Sequence, residues 1–189
     1  VFIVDISGSM TRTIIRLTEA IRLFSATYSG NPNFRFALVT TAGPRHQAEH
    51  TMLRQDLTDR YSDFEFAVSL LATNGNGMEG TWDAPYAVMT DTLTLAEASS
   101  EERIHGLSWR EGATRILVNL TDEEGQSYIR PRIDDSAVCD AATHGEVLIW
   151  FTPTMYMSDY VDVCGAWFNI YDIENFSANL SSVFVDPCP

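Results

Sequence analysis

The 189-residue chain contains no lysine, and all twelve of its basic residues are arginines set against 26 Asp and Glu. A net charge of -14 excludes the basic footprint that nucleic acid requires and disfavours an anionic membrane surface. It suits a cation or a positively charged partner. No apolar run is long enough to span a bilayer, and no signal peptide is evident. Because a buried strand begins at residue 1, the chain reads as one domain, residues 1–189, excised from a longer multidomain protein, so that missing targeting signals say little about compartment. Cysteine is scarce. Cys139, Cys164 and Cys188 allow one disulfide in any of three pairings, or three free thiols. There is no G-x-S-x-G elbow for a serine hydrolase. The remaining composition, 45% hydrophobic and 20% charged, is that of a globular domain with ample core.

What is present is concentrated at the start. Val1-Phe2-Ile3-Val4 has no alternation and reads as a parallel strand covered on both faces. It runs into Asp5-Ile6-Ser7-Gly8-Ser9, where Asp5, Ser7 and Ser9 bring three oxygens to a turn kept tight by Gly8. Such oxygens suit Mg²⁺, Mn²⁺ or Ca²⁺ rather than zinc or copper. Ile14, Leu17, Ile21 and Phe24 then make an amphipathic helix within 11–28. Strands are expected over 34–41, at 51–57 on the sheet edge, and over 114–121, 146–151 and 166–171. Helices are expected over 59–71, 81–98, 131–143, 158–164 and 174–184, with 97–112 a surface insertion. Alternation of this kind implies a three-layer, doubly wound, mostly parallel α/β sheet with helices on both faces. Ligands of such sheets gather at the carboxyl ends of the strands. The loops at Asp5, Gly75 to Gly80 and Asp122 all fall there.

Asp-x-Ser-x-Ser after an apolar strand resembles the first part of the metal-ion-dependent adhesion site (MIDAS) of von Willebrand factor A (VWA) and integrin I domains. The resemblance extends along nearly the whole chain. Leu117-Val-Asn-Leu-Thr121-Asp122 is similar to the family's central strand and final aspartate, with Glu123 where glycine is usual. The middle ligand in many VWA domains is a threonine, here Thr81. However, Glu79-Gly80-Thr81-Trp82-Asp83-Ala84 resembles the Glu-Gly-Gly-Phe-Asp-Ala segment of integrin β-subunit I-like domains, whose ligand is the glutamate. The resemblance therefore implies Ser7, Ser9 and Glu79 as direct ligands of Mg²⁺ (with Mn²⁺ or Ca²⁺ as substitutes), Thr81 as second choice, and Asp5 and Asp122 in or near the second shell. It further implies a non-enzymatic adhesion module that captures a partner's Asp or Glu through the ion. The cysteines of the last third and the integrin-like glutamate point to an extracellular or cell-surface protein, and arginine without lysine, the mark of a GC-rich bacterial genome, fits a surface or pilus adhesin.

Three other patterns compete. Asp5-x-Ser-Gly-Ser also resembles the nucleophilic loop of haloacid-dehalogenase-like phosphatases, with Asp5 as nucleophile, but Ser7 stands where their second carboxylate belongs and their lysine is absent. Some VWA domains are instead subunits of intracellular metal-insertion complexes. His46-Gln-Ala-Glu-His50 matches the H-x-x-E-H zinc pattern but falls in a connection between strands, where a solvated loop is the better reading. Asn175-Phe-Ser177 and Asn179-Leu-Ser181 fit the glycosylation sequon, a frequent accidental match.

Overall fold

The computed structural model describes residues 1–41, 51–73, 80–91, 106–128, 131–161 and 163–185. Six strands form one sheet: β1 (Phe2–Asp5), β2 (Phe36–Thr41), β3 (Met52–Thr58), β4 (Ile116–Leu120), β5 (Val147–Thr152) and β6 (Ala166–Asn169). Their spatial order is β3-β2-β1-β4-β5-β6, with every pairing parallel except that of β3 to β2. The expected three-layer architecture is therefore present. The continuous apolar runs of β1, β2, β4 and β5 are explained by cover on both faces, whereas β3, at the edge, is only half-buried and more polar.

Helices α1 (Ile14–Ala26), α2 (Tyr61–Ser69) and α6 (Phe176–Val185) cover one face. Those labelled α3 (Asp83–Thr90), α4 (Asp135–Ala141) and α5 (Met157–Tyr160) cover the other. The four apolar positions that mark α1 in the sequence are all buried. In α2 Phe64 and Val68, one turn apart, are fully buried and Ala67 packs partly buried beside them, while Phe66 is 65% exposed; the helix ends at Ser69 and leaves Leu70 outside. The helix expected over 81–98 runs as far as Asp91, which closes it in the left-handed conformation with φ 52°. Residues 92–105 lie outside the described residues. Of the stretch 97–112, Leu107 is buried and Ser108 is held by Asp56 through both its N–H (3.1 Å) and its hydroxyl (2.6 Å). Among the described residues no helix is long and apolar enough to cross a membrane.

Of the three cysteine pairings open to the sequence, Cys139–Cys164 forms, with Cα atoms 5.7 Å apart, tying α4 to the segment before β6. Cys188 lies outside the described residues.

The topology fixes where a site belongs. From β1 the chain builds outward through β2 and β3, then crosses over to build β4, β5 and β6 on the other side. The direction of winding thus reverses between the neighbours β1 and β4. In open α/β sheets the crevice outside the carboxyl ends of two such strands is the preferred ligand position. The loops leaving β1 and β4 carry Asp5 to Ser9 and Thr121 to Asp122.

Candidate metal site at the carboxyl edge of the sheet

Asp5 is the last residue of β1, paired with Thr41, and is fully buried. A buried carboxylate needs donors, and it has two. Oδ1 accepts from the Ser7 N–H at 2.8 Å, closing the turn, and Oδ2 accepts from the Thr121 hydroxyl at 2.8 Å. The hydroxyls of Ser7 and Ser9 lie 2.7 Å apart, and Ser9 Oγ donates to Asp122 Oδ1 at 2.8 Å. Four of the six candidate ligands thus form one connected polar cluster spanning both loops. Thr121, unmarked by the sequence reading, joins it by bonding Asp5.

Burial is graded across this cluster. Asp5 and Ser7 are buried, Asp122 is half-buried and Ser9 is exposed, so the cluster opens to solvent on the Ser9–Asp122 side. Burial pushes the Asp5 carboxyl up to about 6, against the hydrogen bonds from Ser7 and Thr121, and raises Asp122 as well. Glu123 is raised first by burial and then by the neighbouring Asp122 charge. In all three carboxylates the largest cause is burial, which disfavours the charged form.

The middle loop is arranged differently. Thr81 is buried, and its hydroxyl is engaged with the backbone of the β4 loop, bonding Glu124 O at 3.0 Å and Gln126 O at 3.2 Å and accepting from Gln126 N at 2.8 Å. Among the described residues it makes no hydrogen bond to Asp5, Ser7, Ser9 or Asp122. Glu79 lies outside the described residues, as do His46 and His50.

Thr81 is one tie among several that fix the β4 loop. Trp82 N–H donates to Gln126 O (3.1 Å), Tyr128 N–H to Asp83 Oδ2 (2.9 Å), Gly125 N–H to Asp159 Oδ2 (3.1 Å) and the Tyr160 hydroxyl to Glu123 O (3.1 Å). Beneath the loop, Trp82, Trp150 and Tyr160 pack with ring centroids 4.9–5.4 Å apart. A Cβ at Gly125 would overlap the Trp82 ring, so only glycine lets the loop sit this close.

Among the described residues no trio of His, Cys, Asp or Glu is placed to hold a metal. The cluster instead offers two carboxylates and two serine hydroxyls, an oxygen-only donor set that fits a hard cation.

No family model matches the chain, and neither does any curated protein sequence. Solved structures do resemble it. The conserved hypothetical protein BatB from Bacteroides thetaiotaomicron superposes with a TM-score of 0.66 at 13% identity, over 98% of this chain and 98% of that one. A von Willebrand factor type A protein from Catenulispora acidiphila gives 0.57 at 14%, over 96% of this chain and 40% of that one. The fold is VWA-like. Proximal thread matrix protein 1 of the mussel byssus, in a form with a zinc-occupied MIDAS motif, gives 0.64 at 14%, over 95% of this chain and 44% of that one. This VWA-like chain thus spans nearly all of BatB and less than half of the other two. At these identities the likeness carries the fold alone.

Proposed function

We propose that the chain is a divalent-cation-dependent protein-binding module. The observation that carries this is the hydrogen bond from Ser9 to Asp122, which joins two loops 113 residues apart at the winding reversal of the sheet. Ser7 and Ser9 supply neutral oxygens to Mg²⁺, with Mn²⁺ or Ca²⁺ as substitutes, while Asp5 and Asp122 supply charge behind them. Glu79 is the preferred middle ligand, because the Thr81 hydroxyl already serves the backbone of residues 124–126. When bound, the ion supplies positive charge that a few neutral ligands leave under-compensated, so that an Asp or Glu side chain of a partner protein is attracted to it.

The phosphatase reading has less support. Asp5 is fully buried with both oxygens accepting hydrogen bonds, a poor posture for a nucleophile. The Cys139–Cys164 bridge favours an oxidising, extracellular or cell-surface setting over an intracellular metal-insertion complex. The host is a larger multidomain protein in this reading.

Retention of the chain on a displayed library of random peptides, in Mg²⁺ and in EDTA, tests the proposal. Retained peptides should be released by EDTA and should lose binding when their Asp or Glu is changed to Asn or Gln. Retention indifferent to both changes would contradict it.

A further inference from the structure

At the opposite edge of the sheet, the amino ends of β1, β2 and β4 border a cavity of about 440 Å³. This is within the range of small-molecule sites. Its walls are apolar and largely aromatic, including Phe2, Phe34, Phe36, Leu57 and Ile116. Phe34 is fixed by stacking on Tyr28, with centroids 4.2 Å apart. The walls are therefore set by core packing before anything binds.

Arg35 and Trp109 contribute N–H groups to this lining. Arg35 Nε and Trp109 Nε1 belong to residues lining the cavity, are buried, and find no hydrogen-bond acceptor among the described residues. Buried N–H groups are nearly always satisfied, so two orphans at one cavity point to an acceptor that the described residues do not supply. Both are donors and neither can accept, so the missing partner is a hydrogen-bond acceptor.

The charge is unusual for this molecule. In a chain with more than twice as many acidic as basic residues, the charged side chains lining the cavity are, among the described residues, Arg35 and Arg110. Arg110 is held at the rim by the carbonyls of Pro32 (2.7 Å) and Asn33. Asp56 lies within electrostatic reach of Arg35, but its oxygens already accept from Leu57 N, Ser108 N and Ser108 Oγ. Arg35 thus shares the field of Asp56, while its Nε has no acceptor among the described residues and an apolar cavity lies beside it.

We propose that this cavity binds a small monocarboxylate with an apolar aryl or short alkyl body. The carboxylate accepts from the Arg35 and Trp109 N–H groups, and the body lies against Phe34, Phe36 and Ile116. An ionised acceptor is favoured over a neutral carbonyl because hydrogen bonds to guanidinium strengthen when the acceptor also carries charge. This site is separate from the Asp5 cluster, and its occupancy does not require a metal.

The probe is 3-phenylpropionate, with 3-phenylpropanamide as its neutral counterpart, titrated calorimetrically into the 189-residue chain in EDTA. The acid should bind at least about tenfold more tightly than the amide. It should also shift the Trp109 indole N–H resonance, identified by its loss in Trp109→Phe. Arg35→Gln should weaken the acid about tenfold and leave the amide unchanged. Equal affinity for acid and amide, or no heat and no shift of the Trp109 resonance at millimolar acid, would overturn the proposal. The comparison of acid with amide in the unaltered chain decides the matter even if Arg35→Gln fails to fold.

Discussion

At the carboxyl edge of the sheet, the buried Asp5 carboxylate is satisfied by the protein itself: it takes a donor from its own loop and another from β4's loop, and Ser9 reaches Asp122. At the amino edge, buried donors at Arg35 and Trp109 find no acceptor among the described residues. The two edges also differ in sign, with raised carboxylates at one and arginines at the other. The difference shows how one parallel sheet can hold two unlike polar sites. The carboxyl edge is built by loops that must bond each other to stay closed, and it accumulates acceptors for a cation. The amino edge is built by strand starts packed on aromatic rings, and it gathers donors such as the Arg35 and Trp109 N–H groups.

The strongest expected effect that sharpens this contrast is on pH. Burial raises Asp5 from its ordinary 3.8 to about 6, so between these values the folded chain binds more protons than the unfolded one. Stability from this group is fully present below about pH 4 and is lost as pH rises through about 6, at no more than about 1.4 kcal/mol per pH unit. Urea midpoints in EDTA across that window should fall with pH, and Asp5→Asn should flatten the trend. A midpoint that rises from pH 4 to 6 in the unaltered chain would break the account of Asp5.

Next in size is Thr121→Val, which keeps the side-chain shape but leaves Asp5 Oδ2 without its donor. It should cost about 1–3 kcal/mol of stability, the usual penalty for orphaning one buried partner. Trp109→Phe removes an N–H that has no acceptor among the described residues and should cost less, about 1 kcal/mol or under, chiefly through the lost stacking of Arg115 over the indole at 5.1 Å. Equal costs in thermal unfolding would erase the distinction between the two edges.

Much of the architecture was legible in the sequence because its strands are apolar without alternation and its helices carry clear three-four spacing. The two loops bearing Asp5, Ser7, Ser9 and Asp122 were legible too, since residue types and strand positions suffice to place them at one edge. Other parts depend on approaches between distant segments that no local pattern encodes. Thr121 looks like the end of a strand, yet its hydroxyl serves Asp5, 116 residues away. Gly125 looks like an ordinary turn glycine, and only the Trp82 ring beneath it explains why it must be glycine. The tyrosine hydroxyl of Tyr160 and the carboxylate of Asp159 hold the same loop from α5, again without a signal in spacing. Phe66 and Leu70 are apolar residues within the helix expected over 59–71, yet they are exposed, and the fully buried positions are Phe64 and Val68. Composition bounded the cysteine pairing to three choices, and the approach of α4 to the segment before β6 selects one.

The central claim is that Asp5, Ser7, Ser9 and Asp122 form a cation site. Mn²⁺ titrated into the EDTA-stripped chain and followed by electron paramagnetic resonance tests it most directly. One Mn²⁺ should bind per chain and be displaced by Mg²⁺, with binding weakened by Ser9→Ala, lost in Asp122→Ala and reduced more by Glu79→Ala than by Thr81→Ala. A spectrum of free Mn²⁺ throughout, or binding unaltered by Ser9→Ala and Asp122→Ala, would contradict it.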